Sequence, residues 1–237
     1  MVPDNYSNQD LEQSKGNSRK KILSETLTVM FIDIVGYTKK TNKLSREEFD
    51  SLHNVFDNLS IPIFEAFNGN VIKKIGDAFL VTFKLPTDAL LCGVELQKSF
   101  QEYSKNKDPR EKISIRAALD LGEVMFRGYD VYGDTVNTAA RIEGVAGAGQ
   151  VVFSGAVFSA MNKNEVRAVS LGLRKFKGLK YPIRVFRVRS KRDERVIRKK
   201  RMKRAFNNFT SLLIGMAFLV FIVLLMYFVI RFVLTLA

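Results

Sequence analysis

The order in which strand and helix periodicities follow one another limits the folds open to this chain more than any other feature. Apolar and β-branched residues run without interruption over Leu27–Ile34, as in a buried strand. A helical repeat follows, opened by the capping box Ser45–Glu48 and ended by Asn68-Gly69-Asn70. The later segments are, in order, strands over Val71–Lys74 and Ala78–Phe83, a helix over about Thr87–Tyr103 and a half-buried strand over Ile113–Leu119. The sequence therefore predicts an α+β fold with a ferredoxin-like βαββαβ core.

This topology predicts that two aspartates meet. Asp33 lies near the end of the first strand, and Asp77 lies in the tight turn between the second and third strands. Strands that are consecutive across the sheet alternate in direction, and the first and third strands are neighbours. The end of the first strand and the turn between the second and third are therefore expected at one edge of the sheet, together with both carboxylates. Paired carboxylates repel unless a cation lies between them, and Mg²⁺ prefers carboxylate and phosphate oxygens. Either aspartate alone is better explained as a cap or a turn residue, so the metal-site prediction depends on the pair.

The segment after Asp33 is suited to a phosphate group. Gly36, followed by Tyr37 and Thr38, lets the backbone approach a ligand closely. A short helix that begins there would aim free N–H groups at phosphate oxygens. These three residues are therefore predicted to contact substrate.

The scarcity of cysteine and histidine excludes several other chemistries. Cys92 is the only cysteine, so neither an internal disulfide nor a cysteine-bound metal cluster can form. His53 is the only histidine, and triad hydrolysis or a zinc site would have to depend on it. It lies among phenylalanine and leucine residues at helical spacing, which predicts a structural role.

Five segments resemble the class III nucleotidyl cyclases, the family of adenylyl and guanylyl cyclase catalytic domains. Thr28–Thr38 and Val71–Phe83 resemble the family's two metal-binding segments. Tyr129–Ile142 resembles its purine and transition-state segment, while Ala146–Ser154 and Leu171–Val188 resemble the strands that follow. The resemblance covers nearly the whole of the predicted folded domain and implies the nucleotide cyclase fold.

The resemblance implies two Mg²⁺ or Mn²⁺ ions in each active site. Asp33 and Asp77 match the family's metal aspartates, and Ile34 matches the residue whose backbone carbonyl is a further ligand. A phosphate-binding lysine is expected at Lys177 or Lys180, and the alignment does not choose between them.

The resemblance also implies how the nucleotide is recognised. Lys73 and Asp130 match the pair that contacts adenine, in which the lysine donates to a ring nitrogen and the aspartate accepts from the exocyclic amine. Asn137 matches the residue that orients the ribose and its attacking 3′-oxygen. Arg141 matches the arginine that stabilises charge on the α-phosphate, a task suited to its planar guanidinium.

These matches imply an adenylate cyclase, a lyase that forms 3′,5′-cyclic AMP and pyrophosphate from ATP. In this family one catalytic domain supplies the metal aspartates and a second supplies the other groups, so a homodimer with two equivalent sites is expected. A guanylate cyclase and a catalytically silent nucleotide-binding relative are the alternatives. Three departures from the common pattern are Tyr37 in place of a frequent phenylalanine, Ala78 in place of a frequent glycine, and a short stretch from Gly122 to Asp130.

The net charge of +14 is concentrated in one segment. Residues 189–204 carry ten Lys and Arg against two acids, which leaves 14 − 8 = +6 for the rest of the chain. The uncharged residues 209–230 follow closely, and 22 residues would form a helix of about 33 Å, long enough to cross a bilayer. The basic segment therefore predicts anionic lipid as the partner rather than nucleic acid.

The predicted organisation has five parts. They are a disordered polar N-terminus over 1–24, the catalytic domain over 25–188, a basic juxtamembrane segment over 189–208, one C-terminal transmembrane helix over 209–230 and a short tail over 231–237. Because Lys- and Arg-rich flanks stay on the cytoplasmic side, a single-pass protein of the plasma or inner membrane with a cytoplasmic catalytic domain is expected.

Overall fold

The strands form one eight-stranded mixed sheet. The computed structural model describes residues 23–42, 44–190, 193–196 and 202. The chain divides after Val188 into two units, and the first unit contains the sheet. Its elements, in chain order, are β1 (Ser24–Ile34), α1 (Tyr37–Thr41), α2 (Arg46–Ala66), β2 (Asn70–Ile75), β3 (Ala78–Phe83), α3 (Pro86–Ser104), β4 (Ile115–Arg127), β5 (Asp130–Tyr132), α4 (Asp134–Glu143), β6 (Val151–Ser154), α5 (Gly155–Ala160), β7 (Ala168–Arg174) and β8 (Ile183–Val188). The strand order is β2-β3-β1-β4-β6-β8-β7, and β5 pairs with β4.

The predicted βαββαβ core is confirmed. β1 lies between β3 and β4 and is antiparallel to both, as the ferredoxin-like arrangement requires. β6 then joins β4 in parallel, and β8 and β7 extend the sheet beyond it. The predicted strand and helix ends agree with the structure to within a few residues, except that β4 continues to Arg127.

Both faces of the central strands are covered. Met30 and Ile32 of β1 pack into the large core under α2 and α3, whereas Val29 and Phe31 face a second core that includes Ala139 of α4. The prediction that β4 is half-buried was wrong, because Ala117 and its neighbour Ala118 are both fully buried, in different clusters. Helix α4 packs against the face of β4 that was predicted, from the alternation of its residues, to be exposed to solvent.

Helix α2 begins and ends as the sequence predicts. The Ser45 hydroxyl accepts the Glu48 N–H at 3.2 Å, and the Glu48 carboxylate accepts the Ser45 N–H at 2.8 Å. At the other end Asn68 takes φ 58°, and the Gly69 N–H donates to the Phe64 carbonyl at 2.8 Å in a Schellman turn. This turn directs the chain into β2 and so towards the Asp77 hairpin.

No helix within residues 23–42, 44–190, 193–196 and 202 is long and apolar enough to cross a membrane. The transmembrane helix predicted over 209–230 lies outside these residues, as do most of the basic segment and the first 22 residues of the chain.

Candidate active site

Strand register brings Asp33 and Asp77 to one edge of the sheet. Asp33 of β1 pairs with Ala78 of β3, directly after Asp77. The pairing of Ile75 with Ala78 leaves Gly76 and Asp77 as a two-residue hairpin turn, in which Gly76 takes φ 62°. A positive φ at this position favours glycine. The two carboxyl groups lie close enough to hydrogen-bond, so the predicted convergence of these aspartates is what the structure has.

Burial and the neighbouring carboxyl group change the protonation of Asp77. The pKa of Asp77 is raised to about 6, first by burial and then by the hydrogen bond and the negative charge of Asp33. Asp33 is only 7% exposed. Without a cation, protonation of Asp77 below about pH 6 relieves part of the repulsion between the carboxylates.

Two charged residues that sequence reasoning missed, Arg116 and Glu143, complete the cluster. Arg116 of β4 is opposite Asp33, and its Nε and Nη2 atoms donate to Oδ2 of Asp33 at 2.8 and 2.5 Å. Nη2 also lies 2.7 Å from Oε1 of Glu143, at the end of α4. The pKa of Glu143 is raised, mainly by burial, against the opposing effect of Arg116. An arginine inside an otherwise apolar strand was the available signal, because such a charge needs a partner.

The aspartate pair fits a divalent cation that takes its other ligands from substrate and water. Within the described ranges, no group of three or more His, Cys, Asp or Glu side chains is arranged to hold a metal ion. Mg²⁺ commonly binds one or two carboxylates together with phosphates and water. Both Arg116 bonds fall on Oδ2 of Asp33, so Oδ1 is outside that contact. Asp33, Asp77 and the carbonyl of Ile34, the last residue of β1, are the groups that would hold the ions.

A second polar pair lies where β2 meets β5. Nζ of Lys73 donates to Oδ2 of Asp130 at 2.5 Å, and the two side chains are 40% and 26% exposed. This bond holds the pKa of Asp130 below its usual value. Nζ of Lys73 also lies 5.9 Å from the centre of the Tyr132 ring. The two residues predicted to recognise the base are therefore neighbours, although they are 57 positions apart in sequence.

Asn137 and Arg141 lie on the exposed side of α4, whose buried positions include Thr138 and Ala139. Among the residues that the structure describes, no hydrogen bond or ion pair joins Asn137 or Arg141 to Asp33 or Asp77. A Cβ atom built on Gly178 would lie 3.9 Å from Nη2 of Arg141. The β7–β8 loop that contains both candidate phosphate lysines, which are exposed, is thus beside Arg141.

The segment after Asp33 forms the expected short helix. Gly36 takes φ 74° and precedes α1, and Thr38 is exposed on it. The hydroxyl of Tyr37, however, is 2.8 Å from Nε2 of His53 on α2. The phenol thus contacts α2, and His53 has the packing role predicted for it, with its ring 4.7 Å from that of Phe49.

Comparison with known proteins identifies the family to which this domain belongs. Residues 20–190 match the family model described as the adenylate and guanylate cyclase catalytic domain, and the chain belongs to this family. The crystal structure of the adenylyl cyclase CyaB from P. aeruginosa superposes with a TM-score of 0.65 at 25% identity, over 73% of this chain and 98% of that one.

Sequence relatives carry more than one name. The chain is 30% identical over 172 residues to the serine/threonine-protein kinase pkn2 of Myxococcus xanthus, covering 73% of this chain and 21% of that protein. It is 25% identical over 170 residues to the putative adenylate cyclase 3 of Rhizobium meliloti, covering 71% and 29%. It is also 30% identical over 143 residues to the receptor-type guanylate cyclase gcy-13 of Caenorhabditis elegans, covering 54% and 14%. The chain thus spans less than a third of the length of these relatives.

The raised pKa of Asp77 predicts how stability depends on pH in the absence of divalent cations. The folded state holds the Asp77 proton more tightly than the unfolded state, so the free energy of unfolding should fall as pH rises from about 4 through about 6. Asp77→Asn should flatten this decline, and so should added Mg²⁺ in the wild type. Urea unfolding at a series of pH values measures the effect, with the exposed Asp108→Asn as control. An unchanged slope in Asp77→Asn would contradict the raised pKa of Asp77.

Proposed function

We propose that this chain is an adenylate cyclase, which converts ATP to 3′,5′-cyclic AMP and pyrophosphate. The observation that carries the proposal is the contact between Asp33 and Asp77 at the edge of a cyclase-family domain. Two carboxylates in contact suit the binding of divalent ions together with a triphosphate. The chain's own groups then have to bind the nucleotide, orient it and stabilise developing charge.

The choice of ATP rests on the pairing of Lys73 with Asp130. Adenine presents a ring acceptor beside an amino donor, which a lysine and an aspartate complement. Guanine presents a carbonyl acceptor beside a ring N–H donor at the same edge, so its donor and acceptor are exchanged. Lys73 lies 2.5 Å from Asp130, so both groups can contact one base edge at the same time.

The reaction is an internal displacement at the α-phosphorus. The ribose 3′-hydroxyl loses its proton to water, its oxygen forms a bond to the α-phosphorus, and the bond to the bridging oxygen of the β-phosphate breaks to release pyrophosphate. Divalent ions at Asp33 and Asp77, when bound, supply positive charge to the attacking and leaving oxygens. Asn137 orients the ribose, and Arg141 donates to the α-phosphate as its charge develops. Gly36 and Thr38 contribute contacts to the phosphates from α1.

The active site is proposed to form between two copies of the chain. Asn137 and Arg141 are exposed on α4 and make no bond to the aspartate pair within the described part of the chain, which suits them to serve a partner's carboxylates. A two-fold dimer would then hold two equivalent sites. Each site would combine Asp33 and Asp77 of one copy with Lys73, Asp130, Asn137 and Arg141 of the other.

The first prediction of this proposal concerns the product. With Mg²⁺ or Mn²⁺, the purified protein should form cyclic AMP and pyrophosphate in equal amounts, with a higher kcat/KM for ATP than for GTP. Asp77→Asn should lower the rate by at least about a hundredfold, because it removes a charge that holds the ions. Asp108→Asn is the matched control. A preference for GTP would contradict the role given to Lys73 and Asp130 and favour a guanylate cyclase, and absence of either product would favour a silent nucleotide-binding protein.

The second prediction concerns the dimer. Asp77→Asn and Arg141→Ala should each be nearly inactive as homodimers, since both sites then lack one essential group. A mixture of the two variants should recover activity, because a mixed dimer contains one site with an intact Asp77 and an intact Arg141. Product formation is measured over a series of mixing ratios. If no mixture exceeds the activity of the separate variants, the composite site is wrong.

We also propose that residues 209–230 anchor the chain in the plasma or inner membrane, with the basic segment 189–204 against anionic lipid. The support is the uncharged run of 22 residues and the ten cationic residues that precede it.

The membrane proposal predicts the fractionation of the protein. The full chain should sediment with membranes and require detergent for release, whereas a chain ending at Val188 should remain in the supernatant and retain activity at sufficient protein concentration. Both forms are compared by ultracentrifugation and by cyclic AMP formation. A full chain that stays in the supernatant without detergent would rule out the anchor.

A further inference from the structure

Helix α2 contacts both segments that carry the proposed metal ligands. His53 hydrogen-bonds to Tyr37, four residues after Asp33. Asp57, one helical turn further along α2, forms an ion pair with Lys74, three residues before Asp77. One rigid element therefore contacts the loop after β1 and the β2–β3 hairpin from the same face, since positions four apart on a helix are neighbours.

The contact to α1 is a hydrogen bond within an aromatic cluster. The Tyr37 hydroxyl lies 2.8 Å from Nε2 of His53, and their rings meet nearly edge-on at 5.6 Å. The pKa of His53 is lowered, first by burial, and the pKa of Tyr37 is raised, first by burial. At neutral pH the phenol therefore keeps its proton and the imidazole is uncharged. The bond forms with either neutral tautomer, because the Tyr37 hydroxyl donates to Nε2 when the imidazole proton is on Nδ1, and Nε2–H donates to the phenol oxygen when it is on Nε2.

The contact to the hairpin is a half-buried ion pair. Nζ of Lys74 lies 2.5 Å from Oδ1 of Asp57, and the side chains are 27% and 34% exposed. The same ammonium group lies 5.8 Å from the centre of the Phe56 ring and 5.4 Å from that of Phe79. The rings and the partial burial of the pair favour this position of the ammonium group, so the pair holds the hairpin more firmly than a solvated surface pair would.

Helix α2 is itself held by the core. Leu52, Phe56 and Phe64 are buried on its inner side. The Phe56 ring stacks on Phe79 of β3 at 5.1 Å and approaches Phe100 of α3 at 5.8 Å. Movement of His53 or Asp57 would therefore require movement of packed aromatic side chains, which makes this turn of the helix a fixed reference for both segments.

We propose that His53 and Asp57 act as a brace that sets the distance between the two metal-binding segments. They are positioning residues for Asp33 and Asp77, and this role rests on the proposed function of that pair. Metal ligation depends on geometry held within about 0.5 Å, so loosening either contact weakens metal binding. General packing alone would predict a loss of stability in these variants without a particular loss of metal affinity.

The test measures Mn²⁺ binding to the full chain in the presence of 3′-deoxy-ATP, which lacks the attacking hydroxyl and stays intact. Free Mn²⁺ is read by electron paramagnetic resonance, and Asp77→Asn defines the binding that belongs to the pair. Tyr37→Phe and His53→Leu should each weaken binding about fivefold, the factor that corresponds to one ordinary hydrogen bond. Lys74→Met should weaken it by a similar factor. The matched control is Glu95→Gln, which breaks the exposed Glu95–Lys98 pair of α3 and should leave Mn²⁺ binding unchanged.

Two further variants separate positioning from general stability. His53→Gln keeps a hydrogen-bonding group on α2 and should recover part of the affinity lost in His53→Leu. The double variant Tyr37→Phe/His53→Leu should bind Mn²⁺ no more weakly than whichever single variant has the lower Mn²⁺ affinity, because the two substitutions remove the same bond. Variants that lower the melting temperature but bind Mn²⁺ as tightly as the wild type would overturn the brace, as would strictly additive losses.

The same experiment distinguishes failure of the brace from failure of the proposed reaction. Mn²⁺ binding that depends on Asp77 and weakens in the brace variants supports the brace even if the wild type forms no cyclic nucleotide from ATP, a result that would refute only the proposed reaction. If the wild type forms cyclic AMP and the variants keep wild-type Mn²⁺ affinity, the brace is wrong and the proposed reaction stands. Absence of Asp77-dependent Mn²⁺ binding would overturn the brace in either case.

Discussion

The structure depends on the enforced closeness of two like charges. Asp33 is fixed by the pairing of β1 with β3 and β4, and Asp77 is fixed by a turn of only two residues. Neither aspartate backbone can shift without breaking strand pairing, so the fold keeps the two side chains near each other despite their repulsion. Arg116 compensates from β4, and below about pH 6 protonation of Asp77 compensates further. At higher pH one arginine faces Asp33, Asp77 and Glu143, and the remaining negative charge suits the cation binding proposed above.

The topology of the core and the convergence of the two aspartates could be predicted from the sequence. Both follow from local patterns, namely the buried run of β1, the capping box at Ser45 and the glycine before Asp77. A ferredoxin-like chain has few ways to arrange four strands, so naming the elements almost determines which strands are neighbours. The closeness of Lys73 and Asp130 could be predicted only from resemblance to a family, because 57 residues separate them and no periodicity connects them.

Other features required the tertiary structure. Arg116 lies within the strand that the sequence predicts, but its position opposite Asp33 depends on the register of β4 against β1, which the alternation of residues does not determine. Glu143 reaches the cluster only because α4 packs on the sheet face that was expected to meet water. The contact between Tyr37 and His53 joins two helices whose relative position depends on the loop between them. A shift of one residue along either helix would change which side chains meet. In each case the missing information was the relative position of the elements in the tertiary structure.

If Lys73 and Asp130 recognise the base as proposed, the bond between them has a consequence for selectivity. Each group already satisfies the other, so an incoming base would compete with an internal partner as well as with water. A base that offers both an acceptor and a donor at adjacent positions replaces what the pair gives up. A base that offers only one of them leaves a charged group without its former partner, and discrimination by the pair is therefore sharper than two independent contacts would give. Selectivity of this kind is a property of the resting state of the protein as much as of its complex.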